Sequence, residues 1–170
     1  SSLSADTASV TIDGYGFDPT AANNTVVFNN GAVGTVTAAT ATQLVVTFST
    51  KPATAGSLTA TVTTNSIASQ APVQVATVTP IVTTNDDAIA ANASTIVIDG
   101  FGFDPTPANN SVVFNNGAIG NVTAATATSL TVTFSKKPTT AGSLTAIVTS
   151  NGENSGSAVE VGTLSPVVTA

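Results

Sequence analysis

The chain of 170 residues contains no histidine, cysteine, methionine or tryptophan, and it has only three basic residues. General acid–base catalysis draws mainly on His, Asp, Glu, Lys, Tyr and Cys, and a nucleophilic hydroxyl needs a neighbouring base. Hydroxyl groups are abundant here, but no imidazole is present to activate one. The composition therefore predicts a protein that is not an enzyme and that carries no organic cofactor.

The shortage of positive charge excludes two further classes of protein. The formal net charge is −6, whereas proteins that bind nucleic acid neutralise phosphates with clustered lysine and arginine. Anionic membrane surfaces attract the same residues. No apolar run approaches the ~18 residues of a membrane-spanning helix. We therefore expect no nucleic-acid partner and no insertion into a membrane.

The absence of cysteine also removes disulfides as a source of stability. Few charges, many Thr, Ser, Asn and Ala residues, and no oxidisable Cys or Met are typical of an exposed bacterial surface protein. The composition thus predicts an extracellular or cell-surface location.

What the sequence does contain is the same domain twice. The segment Ile12–Pro19 aligns with Ile98–Pro105, and the match continues without a gap until Pro80–Thr83 aligns with Pro166–Thr169. Self-similarity at a fixed period indicates a repeated structural unit. We divide the chain into a first repeat at residues 1–79, a second at 80–164 and a C-terminal overhang at 165–170.

Within each repeat, apolar and hydroxylated residues alternate with period two, which is the pattern of a half-buried β-strand. About seven short strands in a repeat of ~85 residues match the strand count and size of an immunoglobulin-like sandwich. For the first repeat the pattern predicts strands at Ser9–Asp13, Thr25–Asn29, Gly34–Ala38, Gln43–Ser49, Ser57–Thr63 and Ala71–Thr77. The predicted fold class is all-β, with two tandem sandwich domains.

Four segments of the first repeat carry a family resemblance, and the second repeat matches them. The segments are Ile12–Pro19, Asn23–Phe28, Ala39–Leu44 and Ala55–Leu58, matched by Gly100, Gly102, Phe103, Asn109, Asn110, Val112 and Phe114. Together they resemble the TIG (also called IPT) family of immunoglobulin-like domains. The resemblance implies an immunoglobulin-like fold that, in bacteria, commonly occurs as tandem modules of surface or secreted proteins. It implies no shared active site.

The ends of the duplication do not match each other. The segment Pro80–Thr84 predicts the first strand of the second repeat, but nothing equivalent precedes the first repeat, which therefore lacks its own first strand. A spare copy follows the second repeat as Pro166, Val167, Val168, Thr169 and Ala170. A sandwich without an edge strand exposes unpaired backbone groups and part of its core. We expect the spare copy to act as a donor strand for the first repeat of another copy.

Donation of this kind joins different surfaces of the two partners, and such heterologous contacts build open filaments when they do not close. The sequence therefore predicts a structural subunit of an extracellular fibre or surface array, whose partners are head-to-tail copies of itself. The same pattern is expected if these residues are two units of a longer continuous chain. In that case the function is a multi-repeat stalk.

A binding module is the alternative from a different class. An adhesin or carbohydrate-binding domain would use the loops at the ends of the sandwich. Sugar recognition favours exposed aromatic rings, but the aromatics here are seven Phe and one Tyr. The alternation places most of the Phe residues inside, and Tyr15 is the only tyrosine. This weakens the case for sugar binding on aromatic rings but leaves protein–protein adhesion open.

Oxygen-rich loops suggest a metal site, although many sequences share such a pattern. Candidate ligands for Ca²⁺ are Asp13, Asp18, Asp99 and Asp104 beside the paired Asn residues, with Asp86 and Asp87 between the repeats. Calcium takes six to eight oxygen ligands, and the spacing matches no dedicated calcium loop. The alternative is that these Asx residues form turn hydrogen bonds.

Four Asn residues fit the acceptor pattern Asn-x-Ser/Thr for covalent glycans. They are Asn23, Asn92, Asn109 and Asn121. In a chain so rich in Asn and Thr, some of these patterns arise by chance. Glycosylation is therefore a hypothesis at these positions, and exposed Thr and Ser would equally accept O-linked sugars.

Overall fold

The strands form where apolar and hydroxylated residues alternate. In the computed structural model, which describes residues 1–169, Val10 and Ile12 of the strand Ser9–Asp13 are buried, while Ser9, Thr11 and Asp13 are exposed. The described residues contain strands and two single-turn 3-10 helices, Ala21–Asn23 and Pro107–Asn109, and no α-helix. None of their helices is long and apolar enough to cross a bilayer. The predicted all-β class is confirmed.

The chain divides into two units, and the first comprises Ser1–Val78. One of its sheets has the order β1-β8-β6-β3, with β7 paired to β6, and the other has the order β2-β5-β4. The strands are β1 (Ser2–Ser4), β2 (Ser9–Asp13), β3 (Asn24–Phe28), β4 (Val33–Ala39), β5 (Gln43–Thr50), β6 (Gly56–Thr64), β7 (Ile67–Ala68) and β8 (Val73–Thr79).

The second unit, which begins at Thr79, repeats this arrangement with one addition. Its sheets have the orders β10-β17-β15-β12, with β16 paired to β15, and β13-β14-β11-β9. The strands are β9 (Ile81–Val82), β10 (Ala88–Ala90), β11 (Thr95–Phe101), β12 (Asn110–Phe114), β13 (Ile119–Ala125), β14 (Ser129–Lys136), β15 (Gly142–Ser150), β16 (Glu153–Asn154) and β17 (Val159–Ser165). The added strand is β9.

Each unit has its own core between its two sheets. In the first unit, Leu44 and Val46 of one sheet belong to the same buried cluster as Leu58 and Val78 of the other. The second unit has the corresponding cluster, and each core includes a pair of tilted Phe rings about 5.5 Å apart, Phe28 with Phe48 and Phe114 with Phe134. This is the two-layer packing of an immunoglobulin-like sandwich.

The six strands predicted for the first repeat all form, with bounds that differ by at most two residues. The structure also contains β1, which the alternation does not predict. It pairs with β8 and corresponds to β10 of the second unit, which pairs in parallel with β17. The strand without a counterpart in the first unit is therefore β9, and the stretch Pro80–Thr84 was predicted to contain it.

Candidate functional site

In the second unit, β9 closes the edge of the sheet beside β11. The two strands run antiparallel, with Val82 opposite Gly100 and Ile81 opposite Phe101. One residue further along, the backbone N–H of Thr83 donates to the carbonyl oxygen of Asp99 at 2.8 Å. Val82 is only 6% exposed and belongs to the core cluster. This short strand thus supplies both ladder hydrogen bonds and one core side chain.

In the first unit, the same sheet edge is open. There β2 is an edge strand that ends at Asp13, and no strand among residues 1–169 lies beside Gly14 and Tyr15. Tyr15 is 92% exposed, whereas its counterpart Phe101 is 41% exposed. The difference in exposure follows the presence of β9 in one unit and its absence from the other.

The core beneath this edge is also less covered in the first unit. Phe17 and Val75 are only partly buried, whereas their counterparts Phe103 and Val161 are 0% and 2% exposed. The space left open is a groove of about 230 Å³ that reaches between the two sheets. Its apolar lining consists of Ile12, Phe17, Ala60, Val62, Val73 and Val75. We refer to this space as the open groove.

An apolar rim surrounds the open groove. Tyr15, Ile67 and Val73 are all more than half exposed, and they line the groove or the depression beside it. Contiguous exposed apolar surface is uncommon on a soluble monomer and marks an interaction site when it is large. The sequence indicated the missing strand but not this rim, because its residues come from three separate segments.

A glycine stands at this sheet edge in both units, and its surroundings differ between them. In the second unit, a Cβ atom on Gly100 would overlap the carbonyl oxygen of Ile81 and the ring of Phe103. In the first unit, the three atoms nearest to a Cβ on Gly14 all belong to the Phe17 ring, the closest at 2.5 Å. In the first unit the Phe17 ring therefore accounts for glycine at position 14, whereas in the second unit the backbone of β9 restricts Gly100 as well.

The predicted donor residues follow β17. Pro166, Val167, Val168 and Thr169 are exposed and form no strand of their own, and Val168 is 96% exposed. Ala170 lies outside the described residues. Val168 thus presents to solvent the side chain that its counterpart Val82 buries in the core.

The Asp and Asn residues of the predicted metal loops are engaged with their own backbone and neighbours. The carboxylate of Asp18 accepts from the Thr20 backbone at 2.7 Å and from the side-chain amides of Asn23 and Asn65 at 3.1 Å each. These hydrogen bonds, the Thr20 backbone first, lower the pKa of Asp18. In the second unit, the Thr106 backbone likewise lowers the pKa of Asp104.

Buried Asn residues form hydrogen bonds with the backbone of the same loops. Asn24 accepts at Oδ1 from the Asp18 backbone at 3.1 Å and from the Thr64 hydroxyl at 2.8 Å. Its Nδ2 donates to the carbonyl oxygens of Asp18 and Thr20 at 2.8 and 3.0 Å. Asn110 makes the equivalent backbone bonds in the second unit. The pattern is that of a loop clamp.

The remaining candidate ligands are dispersed. Asp13 accepts from the Gln43 amide at 2.9 Å, Asp99 is exposed on β11, and Asp86 and Asp87 are exposed within the second unit, between β9 and β10. Among residues 1–169, no group of three acidic side chains is placed to hold a metal ion. Calcium binding at these positions stays a prediction.

The four predicted glycan acceptors, Asn23, Asn92, Asn109 and Asn121, all lie on exposed positions. Asn23 uses its side-chain amide to donate to Asp18, whereas Asn121 stands on the strand β13. Glycosylation at these residues also stays a prediction.

Acidification is expected to destabilise both units through Asp18 and Asp104. Each carboxyl has a lower pKa in the folded state than its value of about 3.9 in the unfolded chain. The stabilisation is therefore fully present above the unfolded pKa and is lost as the pH falls through the folded pKa. Unfolding by urea, measured at several pH values below about 5, should show a free energy of unfolding that declines with acid. The double variant D18N/D104N should flatten this decline, and an unchanged decline would contradict the assignment.

The comparisons with known proteins concern the fold alone. No protein-family model and no curated protein sequence matches the chain. Domains 5–6 of the S-layer protein SbsC align with a TM-score of 0.34 at 18% identity, over 86% of this chain and 82% of that one. The Escherichia coli adhesin FdeC aligns at 0.33 and 15% identity, over 84% and 53% of the two chains.

Immunoglobulin domains 1–4 of Sidekick-1 align with a TM-score of 0.28 at 14% identity, over 97% of this chain and 48% of that one. This chain thus spans about half of the adhesin and Sidekick-1 structures. These three structures come from an S-layer protein, an adhesin and a protein with immunoglobulin domains. The identities and TM-scores are low, so these similarities carry no conclusion about function.

Proposed function

We propose that this protein is a structural subunit of an extracellular bacterial fibre or surface array, built from TIG/IPT-like domains. The subunits join head-to-tail, with the C-terminal residues Pro166–Ala170 of one copy serving as a strand in the open groove of the next. The observation that carries the proposal is the contrast between the two units. One groove holds β9, and the other is open beside Gly14.

The energetics favour a strand as the occupant. Burial of one valine side chain contributes ~1.5–3 kcal/mol, and the open edge offers backbone partners to a strand along β2. The groove and its rim are apolar, and the segment Pro166–Thr169 is uncharged and apolar at its centre. An added strand would therefore satisfy the edge and cover the core in a single contact.

The contact joins two different surfaces, the tail of one copy and the first unit of another. A heterologous contact that does not close extends into a filament. The shortage of charge and of oxidisable residues suits an extracellular location, and the chain has no catalytic role in this proposal. In a longer continuous chain, the preceding repeat would supply the same strand covalently, and the product would be a stalk.

Electron microscopy of the native material, together with the mass of its chains under denaturing conditions, tests the proposal. We expect filaments that dissociate into chains of 16.6 kDa, and we expect deletion of residues 166–170 to abolish them. A mass excess that enzymatic deglycosylation removes would indicate glycans. A single covalent chain of many repeats would indicate the stalk, and monomers at all concentrations would contradict both.

An adhesin is the second candidate, and the exposure of Tyr15 favours it. An aromatic ring that is 92% exposed beside a groove is suited to stacking on a sugar or on a protein partner. This function becomes the leading one if the native protein is monomeric. In that case, we expect Tyr15→Ala to abolish binding to a glycan or protein target.

A further inference from the structure

We propose that the donated strand binds the open groove in one register, with Val168 opposite Gly14 and Val167 opposite Tyr15. This inference rests on the proposed function and names its partner surface. It makes Val168 the residue that enters the core and Gly14 the residue that admits the strand. Val167 and Tyr15 then lie side by side on the outer face.

The second unit supplies the template for this register. Gly100 and Phe101 correspond to Gly14 and Tyr15, and they pair with Val82 and Ile81. The segment Pro166–Thr169 repeats Pro80–Thr83 except for Val167 in place of Ile81. By the same correspondence, the Thr169 N–H would donate to the carbonyl oxygen of Asp13, as Thr83 does to Asp99.

Because a strand is pleated, its register decides which side chains face the core. Successive side chains point to opposite faces, so a slip of one residue would turn Val167 inward and Val168 outward. In the proposed register, Val168 meets the groove that Ile12, Phe17 and Val75 line. Val167 instead covers part of Tyr15, whose exposure should fall toward the 41% of Phe101.

Disulfide trapping tests the register directly, because the chain has no cysteine of its own. The variant Tyr15→Cys is mixed with the variant Val167→Cys under mild oxidation. Directly opposite residues in a hydrogen-bonded antiparallel pair have Cα atoms ~5.5 Å apart, within the ~4.4–6.8 Å that a disulfide spans. We expect covalent dimers in this mixture.

Two matched mixtures serve as controls. Thr11→Cys lies on the same outer face of β2 but ~13 Å further along the strand, and it should not cross-link to Val167→Cys. Val168→Cys faces the core in the proposed register, and it should not cross-link to Tyr15→Cys. Cross-linking in either control at the level of the test pair would overturn the register.

The unmodified protein supplies a second measurement. Tyr15 is the only tyrosine and there is no tryptophan, so tyrosine emission reports on this position alone. We expect assembly, followed by sedimentation, to shield Tyr15 from acrylamide quenching. Assembly without shielding would overturn the register and leave the proposed function standing. If the unmodified protein does not sediment as an assembly and the mixture of Tyr15→Cys with Val167→Cys yields no cross-linked dimers, both proposals are wrong.

Discussion

Replacing Gly14 with valine is expected to abolish assembly and to leave the free subunit folded. The counterpart Gly100 shows the reason, since a Cβ atom there would overlap the carbonyl oxygen of Ile81 in the neighbouring strand. In the free first unit, the nearest obstacle is the tip of the Phe17 ring, which is only partly buried and borders the open groove. The Phe17 ring can therefore shift to make room for the valine, but the backbone of an incoming strand cannot.

For the matched variant Gly100→Val, we expect loss of stability in the free subunit. It collides with Ile81 and with the fully buried Phe103, so it should displace β9 and destabilise the second unit. Overpacking of this kind costs about 3 kcal/mol, which corresponds to a fall in Tm of more than about 10 °C for a domain of this size. Sedimentation measures assembly, and circular dichroism measures melting. If Gly14→Val assembled like the unmodified chain, the groove would not be the docking surface.

Replacing Asn24 with alanine should cost about 3 kcal/mol of unfolding free energy. The side chain is buried and makes four hydrogen bonds, three of them to the backbone of Asp18 and Thr20. Alanine would leave those backbone groups and the Thr64 hydroxyl without their partner at a site that water reaches poorly. The loop that leads from β2 to β3 would lose its clamp.

Asn23→Ala is the control for this prediction. Asn23 is the adjacent residue, it is exposed, and its side chain donates to Asp18 at the surface. Its loss should change the unfolding free energy by less than about 1 kcal/mol. Equilibrium unfolding in urea measures both variants. Equal effects from the two would show that the clamp contributes nothing beyond a surface contact.

The hydrogen bonds of this clamp also explain why the predicted metal loops are rich in Asp and Asn. Asp18 was a candidate calcium ligand because it lies in an oxygen-rich segment with two Asn residues. In the structure, its carboxylate accepts from Asn65 as well, which lies 47 residues away in the sequence. A partner that distant is brought in by the pairing of β3 with β6, which no local spacing reveals.

The rim of the open groove was missed for a related reason. Tyr15 was noted as the only tyrosine, whereas Ile67 is a single apolar residue in a polar stretch. Val73 lies in the predicted strand Ala71–Thr77, where the alternation puts it on the same face as Val75, but it is 65% exposed. The short strand β1 was missed because three residues are too few for an alternation to be recognised. It forms because its neighbour β8 is in place to pair with it.

The sequence by itself determined the duplication, the all-β class and the six main strands of the first repeat. These follow from local signals, because period-two alternation and turn residues act over a few positions. The tertiary structure alone decided that the first unit has an open groove and which residues line it. Those properties depend on side chains from β2, β6 and β8 meeting across two sheets, and on the alternation of faces along a strand whose register only its partner sets.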